Sequence, residues 1–217
     1  VCRVALKILP TQAGPIAEKD YGPEEPSRAA RGLVEEHMAV SCPIFQLGCK
    51  GDAPERGEAG LRQELLGDLA CEVLLGTSTP LYARLYREGL VNRSFSYGYD
   101  SVPGAAFLVA GGESRDPEAV RDAVAAEAAR IAREGVDPAL WERIKKGVYG
   151  SRVRSLNSSE TLCIGQAQSF FSGSDLLRFP EVFRQIARED VEALIARWVI
   201  PERLALSVVR PGEEALA

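Results

Sequence analysis

The stretch "VNRSFSYGYDSVPGAAFLVAGGESRDPEAVRDAVAAEAARIAREG", residues 91–135, decides the fold class. Its first half has the Phe, Tyr, Val and Ala content of two strands, joined by a turn at Ser101 to Gly104. Its second half opens at Asp116-Pro117, runs through an alanine-rich body and stops at Gly135, a complete set of helix punctuation. Between them, "GGESRD" lacks the GxxxxGK[ST] or GxGxxG spacing of a phosphate-cradling loop and reads as a strand-to-helix turn.

Downstream the pattern is mostly helical. A second Asp-Pro start at Asp137-Pro138 opens "DPALWERIKKGVYGSRVRSLN", and "NSSETLCIGQAQSFFSG" begins with a capping-box pattern at Ser158 to Thr161. "REDVEALIARWV" gives a further helix, and "RLALSVVRP" alternates Leu204, Leu206 and Val208 as a final strand. Upstream, Leu61, Leu65, Leu69, Val73 and Leu74 repeat at helical spacing, with Gly76 as the stop. "GLVEEHMAVSCPIFQLGCKG" alternates apolar and polar residues as strand. Residues 1–30 are read as a loop-like N-terminal arm or linker, since "LPTQAGPIAEKDYGPEEPSRA" holds four prolines and two glycines and has no regular period. Residues 31–217 then form one domain. Four helices in the second half, the helix ending at Gly76 and about four or five strands, mixed rather than strictly alternating, predict an α+β fold: a largely antiparallel sheet with helices packed on one face.

Composition narrows the function. The chain of 217 residues is 46% hydrophobic, long enough for a sizeable core. A net charge of -5 argues against nucleic acid as a partner, because phosphate binding needs clustered Lys and Arg. No apolar run approaches the roughly 20 residues of a membrane helix, so no membrane role is expected. Five cysteines without a CxxC pair read as reduced thiols of a cytoplasmic protein.

Catalysis is tested by elimination. His37 is the single histidine, so this chain cannot supply an HExxH or HxxEH zinc site, and no metal ligand is assigned. Beside Glu35 and Glu36 on a predicted strand, His37 reads as a surface imidazole. No GxSxG elbow presents a serine to it. No catalytic residue is assigned.

Segment order then becomes informative. "GTSTPLYARLYREGLVNRSFSYGYD", "GAAFLVAGGESRDPEAVRDAV", "GVDPALWERIKKGVYGSRVRSLNSSE" and "FRQIAREDVEALIARWVIPERLALSVVRP" together resemble the C-terminal half of insulinase/pitrilysin-type zinc metallopeptidases, in their bacterial, processing-peptidase-like branch. The likeness runs from about Pro23 to Pro211. It implies that an N-terminal catalytic half carries an HxxEH helix and the zinc. The present half would hold no cofactor and would close over a peptide substrate. It also implies assembly as a dimer.

In single-chain and homodimeric members of the family, the C-terminal half supplies an Arg and a Tyr seven residues apart, in a segment of the form RxxRGLxY. A cation and a phenol there would stabilise charge developing on the scissile carbonyl. Matching Gly89-Leu90 to that segment places Leu85 at the Arg and Asn92 at the Tyr. Leu has no donor, and Asn is a shorter amide. Arg84, Arg87 and Asn92 are therefore the candidate substrate-binding residues, set against a reading in which Leu81, Leu85 and Leu90 pack inward and the arginines are solvated. The departure implies a supporting half whose Arg-Tyr pair comes from a homologous partner subunit. The alternative is a stand-alone structural or interaction module of the same fold.

Overall fold

The computed structural model describes residues 2–8, 20, 22 and 26–212. A five-stranded sheet is built from β1 (Leu33–Met38), β2 (Ile44–Lys50), β3 (Ser96–Val102), β4 (Ala105–Glu113) and β5 (Leu204–Pro211), in the order β1-β5-β2-β4-β3. Only the β1–β5 pair is parallel; β2–β5, β2–β4 and β3–β4 are antiparallel. The strand alternation sorts side chains to two faces. Phe45, Leu47 and Cys49, Ala106, Leu108 and Ala110, and Leu204, Leu206 and Val208 are buried against helices. Their alternate neighbours point to the opposite face.

The helices pack on one face of this sheet. They are α2 (Gly57–Leu75), α3 (Pro80–Arg87), α4 (Pro117–Glu134), α5 (Pro138–Ser155), α6 (Ser159–Ser172), α7 (Phe179–Gln185) and α8 (Arg188–Trp198), preceded in the chain by the short α1 (Cys2–Ile8). Leu61, Leu65, Leu69, Val73 and Leu74 all lie in the core, so the predicted stripe of α2 is its buried face. The starts follow local chemistry. Asp116 accepts from the Ala119 amide at 2.9 Å, Asp137 from Leu140 at 2.7 Å, and Ser158 from Thr161 at 3.2 Å. Each satisfies an amide that the first helical turn leaves without a partner.

Three features depart from the sequence pattern. "GLVEEHMAVSCPIFQLGCKG" forms two strands rather than one, divided around Pro43. Cys2–Ile8 is helical inside the stretch read as loop-like: its Ala, Leu, Lys and Arg are good helix formers, and the prolines begin only at Pro10. The remaining departure is α6, which buries Ser169 alone and leaves Phe170 and Phe171 exposed.

Close packing of α2 on β3 gives a direct test. A Cβ added at Gly67 would meet ring atoms of Tyr99 at 2.3 Å and 2.5 Å. Gly67→Ala should therefore destabilise the domain by about 1–3 kcal/mol, although alanine is the better helix former. Chemical denaturation of Gly67→Ala and of Gly67→Ala/Tyr99→Ala separates the two effects, because removing the ring should cancel most of the alanine's penalty. Equal penalties with and without the ring would contradict the packing argument.

Candidate functional site

The face turned away from the helices is the candidate site. Register places its side chains in rows across the strands. One row holds Glu36, Val209, Ile44 and Glu113; the next holds Val34, Ser207, Gln46, Gly111 and Ser96; a third holds Ala205, Gly48, Val109 and Gly98. Small residues dominate the middle, so the sheet's own twist leaves a shallow groove of about 630 Å³ over Gln46, Ser96, Gly98, Val109, Gly111 and Ser207. Gly111 is required by the fold, since a Cβ there would stand 2.9 Å from the Phe45 carbonyl oxygen. Gly98 meets no such constraint: a Cβ would find nothing within 4 Å. At the far end, the row of Lys50, Phe107 and Asp100 carries both signs of charge.

Asn92 sits at the entry to this face. Its side-chain amide donates to Glu113 Oε2 at 2.9 Å, and its Oδ1 accepts from the Ser94 amide at 2.7 Å. The Ser94 hydroxyl in turn accepts from the Glu113 amide at 3.0 Å. Asn92 thus closes a corner between the loop after α3 and the end of β4, and fixes the Glu113 carboxylate there.

Arg84 and Arg87 lie on the solvent side of α3, exposed and without an ion-pair partner among the described residues. Leu81 and Leu85 point into the core and Leu90 packs against it. The nearby phenols are engaged on the helix side. Tyr97 donates to Glu72 at 3.2 Å, and Tyr99 stacks on Trp198. Burial, reinforced by the Glu72 charge, pushes the Tyr97 phenol up to about 12, so it keeps its proton at neutral pH. Burial also raises the Glu72 carboxyl, against the opposing effect of the Tyr97 bond.

Zinc does not fit these residues. His37 is exposed on β1, and among the described residues no group of three or more His, Cys, Asp or Glu could hold a metal ion. The groove residues Gln46, Ser96, Gly98, Val109 and Ser207 were not candidates on sequence. The signal that could have found them is the alternation of the strands, in which the partners of the buried positions form the second face.

Known proteins share this fold. A family model described as "Peptidase M16 inactive domain" matches residues 6–148. The uncharacterized zinc protease YmfH of Bacillus subtilis (strain 168) is 28% identical over 189 residues, covering 87% of this chain and 44% of that protein. The chain therefore spans less than half the length of that curated relative. Among solved structures, an M16-like peptidase from Alicyclobacillus acidocaldarius superposes with a TM-score of 0.88 at 23% identity, over 97% of this chain and 50% of that one. The inactive peptidase domain of a zinc protease from Bordetella parapertussis gives 0.66 at 15% identity, covering 82% of this chain and 95% of that one. At these identities the superpositions show the fold alone. The family match extends over well more than half of the chain, and the chain belongs to the M16 peptidases as one of their inactive domains.

Proposed function

We propose that this domain is the non-catalytic C-terminal half of a zinc-dependent peptidase, and that its open sheet face is one wall of the chamber that holds an extended peptide. The observation that carries this is the second face of the sheet: uncovered by the helices, floored by Gly98, Gly48, Ser96 and Ser207, and rimmed by Ile44, Val209 and Phe107. Such a floor lets a peptide backbone come close.

Zinc and the activated water would belong to a homologous N-terminal half carrying HxxEH. Arg84, Arg87 and Asn92 would meet the peptide only where it leaves the groove at the Asn92 corner. An Arg-Tyr pair, where one is used, would come from a partner subunit in a dimer. A reducing, cytoplasmic setting suits the free thiols Cys42, Cys49, Cys71 and Cys163; burial pushes that of Cys49 up to about 12, so it stays protonated and unreactive. No helix among the described residues is long and apolar enough to cross a membrane.

Amide NMR of the isotope-labelled 217-residue chain, titrated with unstructured peptides, tests the proposal. Shifts should concentrate on β2, β4 and the open-face positions of β3 and β5, and Gly98→Trp should abolish them by filling the groove. Shifts confined to α4 and α8 would contradict it. The purified chain with added zinc should cleave none of these peptides; metal-dependent cleavage would overturn the proposed division of labour.

A further inference from the structure

The two ends of the open face differ in charge, and the difference defines a ligand. We infer that the end framed by Glu36 and Glu113 selects peptides with the alternating pattern cation, any residue, bulky apolar, any residue, cation. This deepens the chamber-wall reading and rests on it.

Glu36 and Glu113 close the two ends of one row, with Val209 and Ile44 between them. Three strand spacings separate them, about 14 Å, so they cannot converge on one ion. Neither carboxylate forms an ion pair with a cation among the described residues. Glu36 is exposed and forms no ion pair with a described residue. Glu113 is held by the neutral amide of Asn92, which orients the carboxylate and leaves its charge intact. The guanidinium of Arg210 in β5 is turned to the helix face, where it serves Glu35 and Glu118. Ile44, 42% exposed, adds an apolar contact in the middle of the row.

An extended peptide advances about 3.3 Å per residue, and alternate side chains share a face. Residues i, i+2 and i+4 therefore point together at the sheet and span about 13 Å. A peptide crossing the strands would seat cations i and i+4 at Glu36 and Glu113, and an apolar residue i+2 on Ile44 and Val209. The carboxylates set both the spacing and the sign. Asn92 is a positioning residue in this scheme.

The test is fluorescence anisotropy with the 217-residue chain and three labelled peptides of equal length, carrying Lys-Ser-Leu-Ser-Lys, Ser-Ser-Leu-Ser-Ser or Glu-Ser-Leu-Ser-Glu. The lysine peptide should bind about tenfold more tightly than the glutamate one, with the serine peptide between, and the gap should shrink as salt rises. Glu36→Gln and Glu113→Gln should each lower lysine-peptide affinity severalfold and change serine-peptide affinity far less. Both positions are exposed, and circular dichroism confirms that the variants fold. Equal binding of all three peptides overturns the inference and leaves the chamber-wall reading standing. Failure of all three to bind overturns both.

Discussion

Trp198→Ala is expected to lower the stability of the domain by about 3–5 kcal/mol, read as a drop in the denaturant midpoint. Trp198 is fully buried at the end of α8, and its ring lies against Gly51 so closely that an added Cβ there would stand 2.6 Å from it. It stacks on Tyr99, donates from Nε1 to Asp52 at 3.0 Å, and its carbonyl accepts from the Cys49 thiol at 2.9 Å. One residue therefore joins α8, the end of β2 and edge strand β3. Trp198→Phe should restore most of the packing and still lose about 1 kcal/mol, because Asp52 loses a donor. Burial opposes the charge on Asp52, but Arg203, Trp198 and Arg197 outweigh it and hold the carboxyl below its ordinary 3.8. A carboxyl lowered by folding contributes stability that is present above the unfolded value and is lost as pH falls through the folded one. Acid unfolding should thus begin later for the parent chain than for Trp198→Phe. Identical acid midpoints would show that the indole bond does not matter.

Arg152→Met should cost about 1–3 kcal/mol at neutral pH, with the cost shrinking toward acid. Arg152 on α5 reaches two carboxylates of α2, Glu64 at 2.7 Å and Asp68. The cost falls short of that for a fully buried pair because 32% of the Asp68 side chain is exposed. Burial raises the Asp68 carboxyl above 3.8, and Arg152 limits the rise. With the folded value above the unfolded one, the native state holds the proton more firmly, and stability falls as pH rises through that window. Removing Arg152 moves the folded value further up and widens the window. Denaturant midpoints of parent and variant near pH 4.5 and pH 7.5 check this; equal deficits at both would sink the ion-pair account.

The helix starts were legible because their causes are local. Asp116-Pro117, Asp137-Pro138 and Ser158 each cap an amide three residues on. The hairpin turn predicted at Ser101 to Gly104 was legible for the same reason, although strand pairing runs on to Val102 and the turn itself is Pro103-Gly104: Gly104 has a φ of 87°, which favours glycine. By contrast, α7 spans seven residues and carries Pro180, so it shows no full period; burial of Phe179, Val182 and Phe183 supports it instead. The parallel β1–β5 pair joins strands some 170 positions apart, with no signature in either. At the candidate site, Asn92 could be singled out by comparison with a family segment. Its partner Glu113 could not, because the bond closes only once α3, the loop and the β3–β4 hairpin are in place.

The position of β5 between β1 and β2 matters during synthesis. β1 is made before the other four strands and, among the described strands, pairs with β5 alone, while β2 has β4 on one side and waits for β5 on the other. Until the eight residues Leu204–Pro211 leave the ribosome, the nascent chain carries one strand with no neighbour and a second with a bare edge. Such edges recruit other chains. The last strand of the sheet is therefore its keystone, and a translation product that stops before Leu204 is expected to engage chaperones or aggregate rather than fold as a smaller domain.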